Sequence, residues 1–118
     1  MALIINAMVD DLGDTLTALG DPTRRRVVEL LQQGPLRASE LADGAGMSRQ
    51  ATSRHLKVLR ASGLVDVSLD DDDGRSRVYR LRADRLVALR AWLDQVQAGH
   101  ARQLAAFKRH AERHRGTA

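Results

Sequence analysis

The chain has 118 residues and a mass of 13.0 kDa, enough for one compact domain with a single core and too little for a multidomain enzyme. Hydrophobic residues make up 43% and charged residues 29%, which excludes a disordered tail, and the 3% of aromatics (Trp92, Tyr79, Phe107) supply neither base-stacking platforms nor most aromatic-lined pockets. Basic residues outnumber acidic ones by 19 to 15 and are dominated by Arg, whose planar fork suits anionic partners, while the absence of Cys excludes disulfides, thiolate metal sites and Cys nucleophiles.

No stretch approaches the roughly 18 consecutive apolar residues of a membrane span. The run from Leu3 to Val9 has no basic leader and is followed by Asp10 and Asp11, a poor signal peptide, so the expected location is the cytoplasm and no membrane partner is expected.

Ile5, Met8, Val9, Leu12, Leu16 and Leu19 recur at helical spacing and predict a first amphipathic helix over about residues 6–19, ended by Gly20-Asp21-Pro22. Asp21 is a good N-cap and Pro22 suits the first helical position, so a second helix runs from there to Gly34 and buries Val27, Leu30 and Leu31. A short helix over about 38–43 turns Leu41 and Ala42 inward, and Gly44-Ala45-Gly46 turns the chain. Ser48 then caps a fourth helix, which runs to about Ala61 with Thr52, Leu56 and Leu59 on one face, before Ser62-Gly63. Val65, Val67 and Leu69 alternate with polar residues, as do Tyr79 and Leu81, and Asp70-Asp71-Asp72-Asp73-Gly74 lies between them, so residues 64–82 read as a β-hairpin. An isolated hairpin is marginal in water, so this one must lie against the helices. Asp84 is the expected cap of a long last helix over about 84–113, whose Leu86, Leu89, Leu93 and Val96 repeat at alternating three and four, the spacing of a helix-helix seam.

The predicted fold is mainly α with a small β-hairpin, a single winged helix-turn-helix domain over residues 1–118 with its helix-turn-helix at about 38–61. Ala42 is the small residue that lets two helices cross closely, Gly46 permits the turn, and Thr52 locks the second helix onto the first. Asp21-Pro22-Thr23-Arg24-Arg25, Glu40-Leu41-Ala42, Ser53-Arg54-His55-Leu56-Lys57-Val58-Leu59 and Gly63-Leu64-Val65 together resemble the ArsR/SmtB family of bacterial transcriptional regulators, over about residues 12–96. The resemblance implies a homodimeric repressor, dimerised through its first and last helices, that places the fourth helix in the major groove of double-stranded DNA. On that reading Leu12, Leu16, Leu86, Leu89, Leu93 and Val96 are the expected dimer contacts. Thr52 stands where the family usually has a plain hydrophobe, and a helical Thr hydroxyl is able to bond the carbonyl one turn earlier.

Helical geometry at about 100° per residue assigns the fourth helix independently. With Thr52, Leu56 and Leu59 buried, Gln50, Arg54 and Lys57 point away and Arg49 and Ser53 flank them. Arg bonds guanine bidentately, Gln reads adenine, and Ser and Lys commonly meet phosphates. Ser48 and His55 complete the expected set on this helix. His55 lies about 60° from the buried face, where a packed, hydrogen-bonded or phosphate-facing histidine is expected rather than a catalytic one. In the wing, Arg75 and Arg77 flank the tip and are expected at the minor groove or backbone, with Arg80 and Arg82 behind them; Asp70 to Asp73 oppose close approach to phosphate, and read otherwise as a solvated turn, a specificity filter or a cation site. Arg24 and Arg25 are further candidate phosphate contacts, or pair with nearby acids.

Many relatives of this family sense metals. The thiolate site beside Glu-Leu is impossible here, since Glu40-Leu41 is followed by Ala42-Asp43, and the Asp-x-His start of the last-helix site is missing. No metal site and no cofactor is expected, and His110 and His114, four residues apart, read as solvated. No nucleophile, base and oxyanion arrangement or phosphate-binding Gly loop occurs, so no enzyme is expected. The competing readings are a metal-responsive regulator using the C-terminal histidines, a non-specific architectural DNA-binding protein and a helical protein-interaction adaptor. The effector is left unassigned.

Overall fold

The computed structural model describes residues 2–69 and 76–115, with side chains from residue 11 onward. The element order is α1 (Ala2–Leu19), α2 (Pro22–Leu31), β1 (Leu36–Arg37), α3 (Ala38–Ala45), α4 (Arg49–Ala61), β2 (Val65–Leu69), β3 (Arg77–Leu81) and α5 (Ala83–Arg115). Ile5, Met8 and Val9 of the expected apolar face of the first helix lie in α1 outside the described side chains, and Arg75 and the Asp70–Asp73 run lie outside the described residues.

Each helix boundary has a local chemical cause. Asp21 Oδ1 accepts from the N–H groups of Thr23 (2.8 Å) and Arg24 (3.1 Å), and Pro22 occupies the first helical position, where no N–H is needed. At the start of α3, Glu40 Oε1 accepts from the Arg37 N–H at 3.1 Å. Gly46 then ends α3 with φ +64°, and the Met47 N–H reaches back to Ala42 O at 2.9 Å. Only a left-handed residue lets the chain reverse within so few bonds, which is why the turn between α3 and α4 carries a glycine. Ser48 Oγ accepts from the Ala51 N–H at 3.1 Å and opens α4.

Residues Met1–Val87 form one compact unit and Ala88–Ala118 a second. The core of the first comprises Ala18, Val27, Leu31, Leu41, Leu56, Leu59, Leu64, Val65 and Tyr79, with Leu30, Leu36, Met47, Val67 and Leu86 among the residues packed against it. Burying a Leu or Val side chain fully contributes roughly 1.5–3 kcal/mol, so these aliphatics dominate the stability of the unit. Thr52 is buried with them, and its hydroxyl donates to Ser48 O at 2.8 Å, which removes the cost of placing a polar atom there.

The hairpin is part of a three-stranded antiparallel sheet ordered β1-β3-β2, with Val67 opposite Tyr79 and Tyr79 opposite Leu36. The added strand is two residues long, too short for alternation to register, and exists because Leu36 pairs with β3. Three boundaries also differ from expectation. α1 begins at Ala2, and α2 ends at Leu31 with Gln32 as its C-cap rather than continuing to Gly34. Asp84 sits inside the first turn of α5 and pairs with Arg82 (3.4 Å) instead of capping the helix.

The second unit is the continuation of α5. The helix is 33 residues long and none of its residues is buried; Trp92, Leu93, Val96, Leu104 and Phe107 are all exposed.

Candidate nucleic-acid interface

The fourth helix has two chemically distinct faces. Thr52, Leu56 and Leu59 are buried, while Arg49, Gln50, Ser53, Arg54 and Lys57 are exposed. The 13-residue sequence of α4 contains four basic side chains, Arg49, Arg54, Lys57 and Arg60, and no acidic one. None of the four takes part in a salt bridge or hydrogen bond among the described residues. Ser48 is exposed as well. Its oxygen is spent on the cap, which leaves the hydroxyl proton to donate outward.

Two shallow grooves run along α4. One is lined by Ser39, Arg49, Ser53 and Tyr79 together with the buried Thr52 and Leu56; the other by Lys57, Arg60, Val65, Asp66 and Val67. They bring Ser39 and Arg60 beside the expected residues. Neither had been singled out from sequence, although Ser39 opens α3 and Arg60 follows Lys57 at the i,i+3 spacing that puts both on one side of the helix.

On the hairpin, Arg77 and Arg80 are exposed and Tyr79 is buried; Arg80 lies on the opposite face of β3 from Tyr79, while Arg77 shares the face of Tyr79 at the start of the strand. Arg82 is committed elsewhere: its Nε lies 3.6 Å from Asp66 and 3.4 Å from Asp84.

Arg24 and Arg25 likewise have acceptors within the protein, Arg24 half-buried and Arg25 exposed. Arg24 Nε donates to Ala18 O at 2.7 Å and Nη2 to Thr17 O at 3.1 Å, while Arg25 Nη1 donates to Leu19 O at 2.7 Å. Two cations in the first turn of α2 oppose its macrodipole, and the last carbonyls of α1, the negative end of a second dipole, offset this. The partners are therefore carbonyls rather than acids. The Asp21 carboxyl is held below its ordinary range chiefly by the Arg24 backbone N–H, with smaller lowering contributions from the Thr23 N–H and the charges of Arg24 and His55. His55 itself is half-buried, with Nδ1 3.4 Å from Arg24 Nη1.

Among the expected seam residues, Leu16, Leu93 and Val96 are exposed, and Leu12, Leu86 and Leu89 are half-buried. Leu86 is partly spent on the core of its own unit. The His110 and His114 rings meet edge to face with centroids 4.1 Å apart, and no group of three or more metal-ligating side chains occurs among the described residues. No helix among them is long and apolar enough to cross a membrane.

A family model described as a helix-turn-helix domain matches residues 19–68, which span α2 to β2. The HTH-type transcriptional regulator Rv2034 of Mycobacterium tuberculosis is 49% identical over 77 residues, 65% of this chain and 69% of that protein. A solved ArsR-like transcriptional regulator from Rhodococcus sp. RHA1 superposes with a TM-score of 0.78 at 35% identity, covering 87% of this chain and 92% of that one. The chain belongs to the ArsR/SmtB family of helix-turn-helix transcriptional regulators. A further ArsR-type neighbour, a domain from Mycobacterium bovis described as a homodimeric winged helix-turn-helix DNA-binding domain, has a TM-score of 0.62 at 29% identity over 81% of this chain and 85% of that one.

Proposed function

We propose that this chain is a cytoplasmic, homodimeric repressor that binds an inverted repeat in double-stranded DNA. In this reading the whole chain acts as one winged helix-turn-helix domain, with α4 in the major groove and Arg77 of the wing at the minor groove or backbone. The observation that carries the reading is the outward face of α4: four cations unpaired among the described residues, with Gln50 and Ser53 among them, on a helix whose opposite face is locked into the core. Arg54 and Gln50 have the donors and acceptors to read base edges, and Lys57, Arg49, Ser48 and Ser53 suit phosphates.

Dimerisation rests on the exposed apolar side chains of α5 and on Leu16 of α1, with the homodimeric Mycobacterium bovis domain in support. Two recognition helices about one DNA turn apart then require an operator of two half-sites. Repression follows from occupying the site against polymerase. The relatives are regulators by name, and no catalytic role is proposed for any residue.

Selection from a pool of random DNA duplexes tests this directly. The expected outcome is an enriched inverted repeat whose binding survives near-physiological salt. Enrichment of nothing, with residual binding abolished by salt, would refute sequence-specific recognition and leave an architectural or protein-binding role.

A further inference from the structure

We infer that Arg24 is a positioning residue for the recognition helix, tying the last turn of α1 to His55 on α4; the inference rests on the DNA-binding reading above. The guanidinium is a three-way junction. Nε donates to Ala18 O at 2.7 Å, Nη2 to Thr17 O at 3.1 Å, and Nη1 lies 3.4 Å from His55 Nδ1. Two of the three partners are carbonyls of a helix end that contains the fully buried Ala18. The guanidinium is therefore anchored on one side before it reaches across to α4.

The junction also selects the tautomer of a neutral His55 ring. Arg does not deprotonate in proteins, so in this contact it is the donor and Nδ1 the acceptor. The ring proton of neutral His55 then sits on Nε2, on the opposite side of the imidazole from Arg24. His55 makes no other hydrogen bond among the described residues, so the Nε2–H is left to donate to a partner outside the protein. Ser53 and Arg54 precede it and Lys57 follows it on the exposed side of the same helix. The end of α1 thus sets the orientation of a donor beside the DNA-reading face, and Arg24 need not touch DNA to do so.

Lysine carries the same charge but concentrates its donors on one nitrogen, which is unable to span two carbonyls and an imidazole. The test compares Arg24→Lys, Arg24→Gln, His55→Ala and the Arg24→Gln/His55→Ala double variant in the full chain. Each is measured on the duplex that the wild-type chain enriches from a random pool, at low and near-physiological salt, with thermal unfolding recorded in parallel. Positioning predicts that Arg24→Lys is as impaired as Arg24→Gln, each by roughly threefold to tenfold in Kd, the range of one hydrogen bond. The salt slope stays that of the wild type, and Arg24→Gln costs nothing further once His55 is Ala. If Arg24→Lys binds like the wild type while Arg24→Gln lowers the salt slope by about 0.9 per contact, Arg24 is a phosphate contact and the inference is wrong. Additive losses in the double variant overturn it equally, because they mean that Arg24 does not act through His55. Should the Arg24 variants fail to fold, NMR of the wild type decides: the inference requires a solvent-protected Arg24 Nε–H and a nuclear Overhauser contact between the guanidinium and the His55 ring. A wild-type chain that enriches no duplex refutes the DNA-binding reading and takes the inference with it, whereas specific wild-type binding with uncoupled variants refutes the inference alone.

Discussion

Replacing Lys57 by Gln removes one of the four unpaired cations of α4 and nothing else. The side chain is exposed and makes no ion pair or hydrogen bond among the described residues, so no internal contact is broken and thermal stability is expected to stay within about 0.5 kcal/mol of the wild type. On DNA the consequence is larger. Each phosphate neutralised by a cation contributes about 0.9 to the slope of log K against log salt, so a dimer that loses one contact per half-site loses about 1.8. Between about 50 and about 200 mM salt, a fourfold range, that difference compounds to roughly twelvefold: the variant weakens across the range about twelvefold less than the wild type does. Fluorescence anisotropy with the selected duplex at four or five salt concentrations measures both slopes. A slope lowered by about 0.9 instead of 1.8 would mean that one Lys57 per complex meets the backbone, and so would argue against two equivalent half-sites. An unchanged slope would refute the assignment of Lys57 to phosphate, and with it the argument that an unpaired cation on this face reports a backbone contact.

Arg54→Ala is expected to cost on the order of 1–3 kcal/mol in binding and to relax the sequence requirement at one position per half-site, as seen by repeating the selection with the variant; equal loss on all duplexes would reassign Arg54 to the backbone. Gly63→Ala meets two obstacles, a φ of +79° and an Arg85 Nε only 2.6 Å from the added Cβ, and should destabilise by roughly 1–2 kcal/mol from the backbone alone. In an Arg85→Ala background only the backbone part should remain in chemical denaturation, and an equal cost in both backgrounds would show that the close approach is harmless. Asp21, whose folded pKa is lowered, contributes stability that is complete above the ordinary carboxylate range and is lost as pH falls through its lowered value. Asp21→Asn keeps the capping oxygen, so its unfolding curve should show a smaller acid-side loss than the wild type; identical acid limbs would rule out that contribution. Leu93→Glu puts a charge in the exposed seam of α5, and sedimentation should show a shift from dimer to monomer at unchanged helix content; a persistent dimer would place the interface elsewhere.

What sequence makes legible here depends on whether a residue's role is set locally. Thr52, Leu56 and Leu59 follow from the helical period, and Gly46 follows from the need for a left-handed turn, so the helix-turn-helix and the orientation of α4 are readable from residues alone. β1 is not, because two residues carry no period and Leu36 becomes a strand only through its pairing with β3 across more than forty residues of chain. The acceptors of Arg24 and Arg25 are illegible for the same reason. Adjacent arginines near a DNA-binding motif suggest phosphate, whereas their acceptors are the carbonyls of Thr17, Ala18 and Leu19 on the preceding helix, and no sequence pattern announces a carbonyl as a partner.

The division among the arginines is what gives the small net charge its effect. A formal excess of +4 spread over 118 residues is a weak field, and several basic side chains outside α4 are held by a carbonyl or carboxylate of the protein itself. Arg24 and Arg25 hold α1, Arg82 holds Asp66 and Asp84, and Arg85 holds Asp11 at 3.0 Å. On α4 there is no acid to answer the four cations, and that unanswered charge equals the excess of the whole chain. A cation with an internal partner must give it up before meeting a phosphate, and it returns little for doing so. An unpaired one exchanges only water and counterions. The fold therefore spends Arg24, Arg25, Arg82 and Arg85 on internal acceptors and leaves the cations of α4 unpaired on the face proposed to meet DNA, so that a nearly balanced composition still yields a locally positive surface.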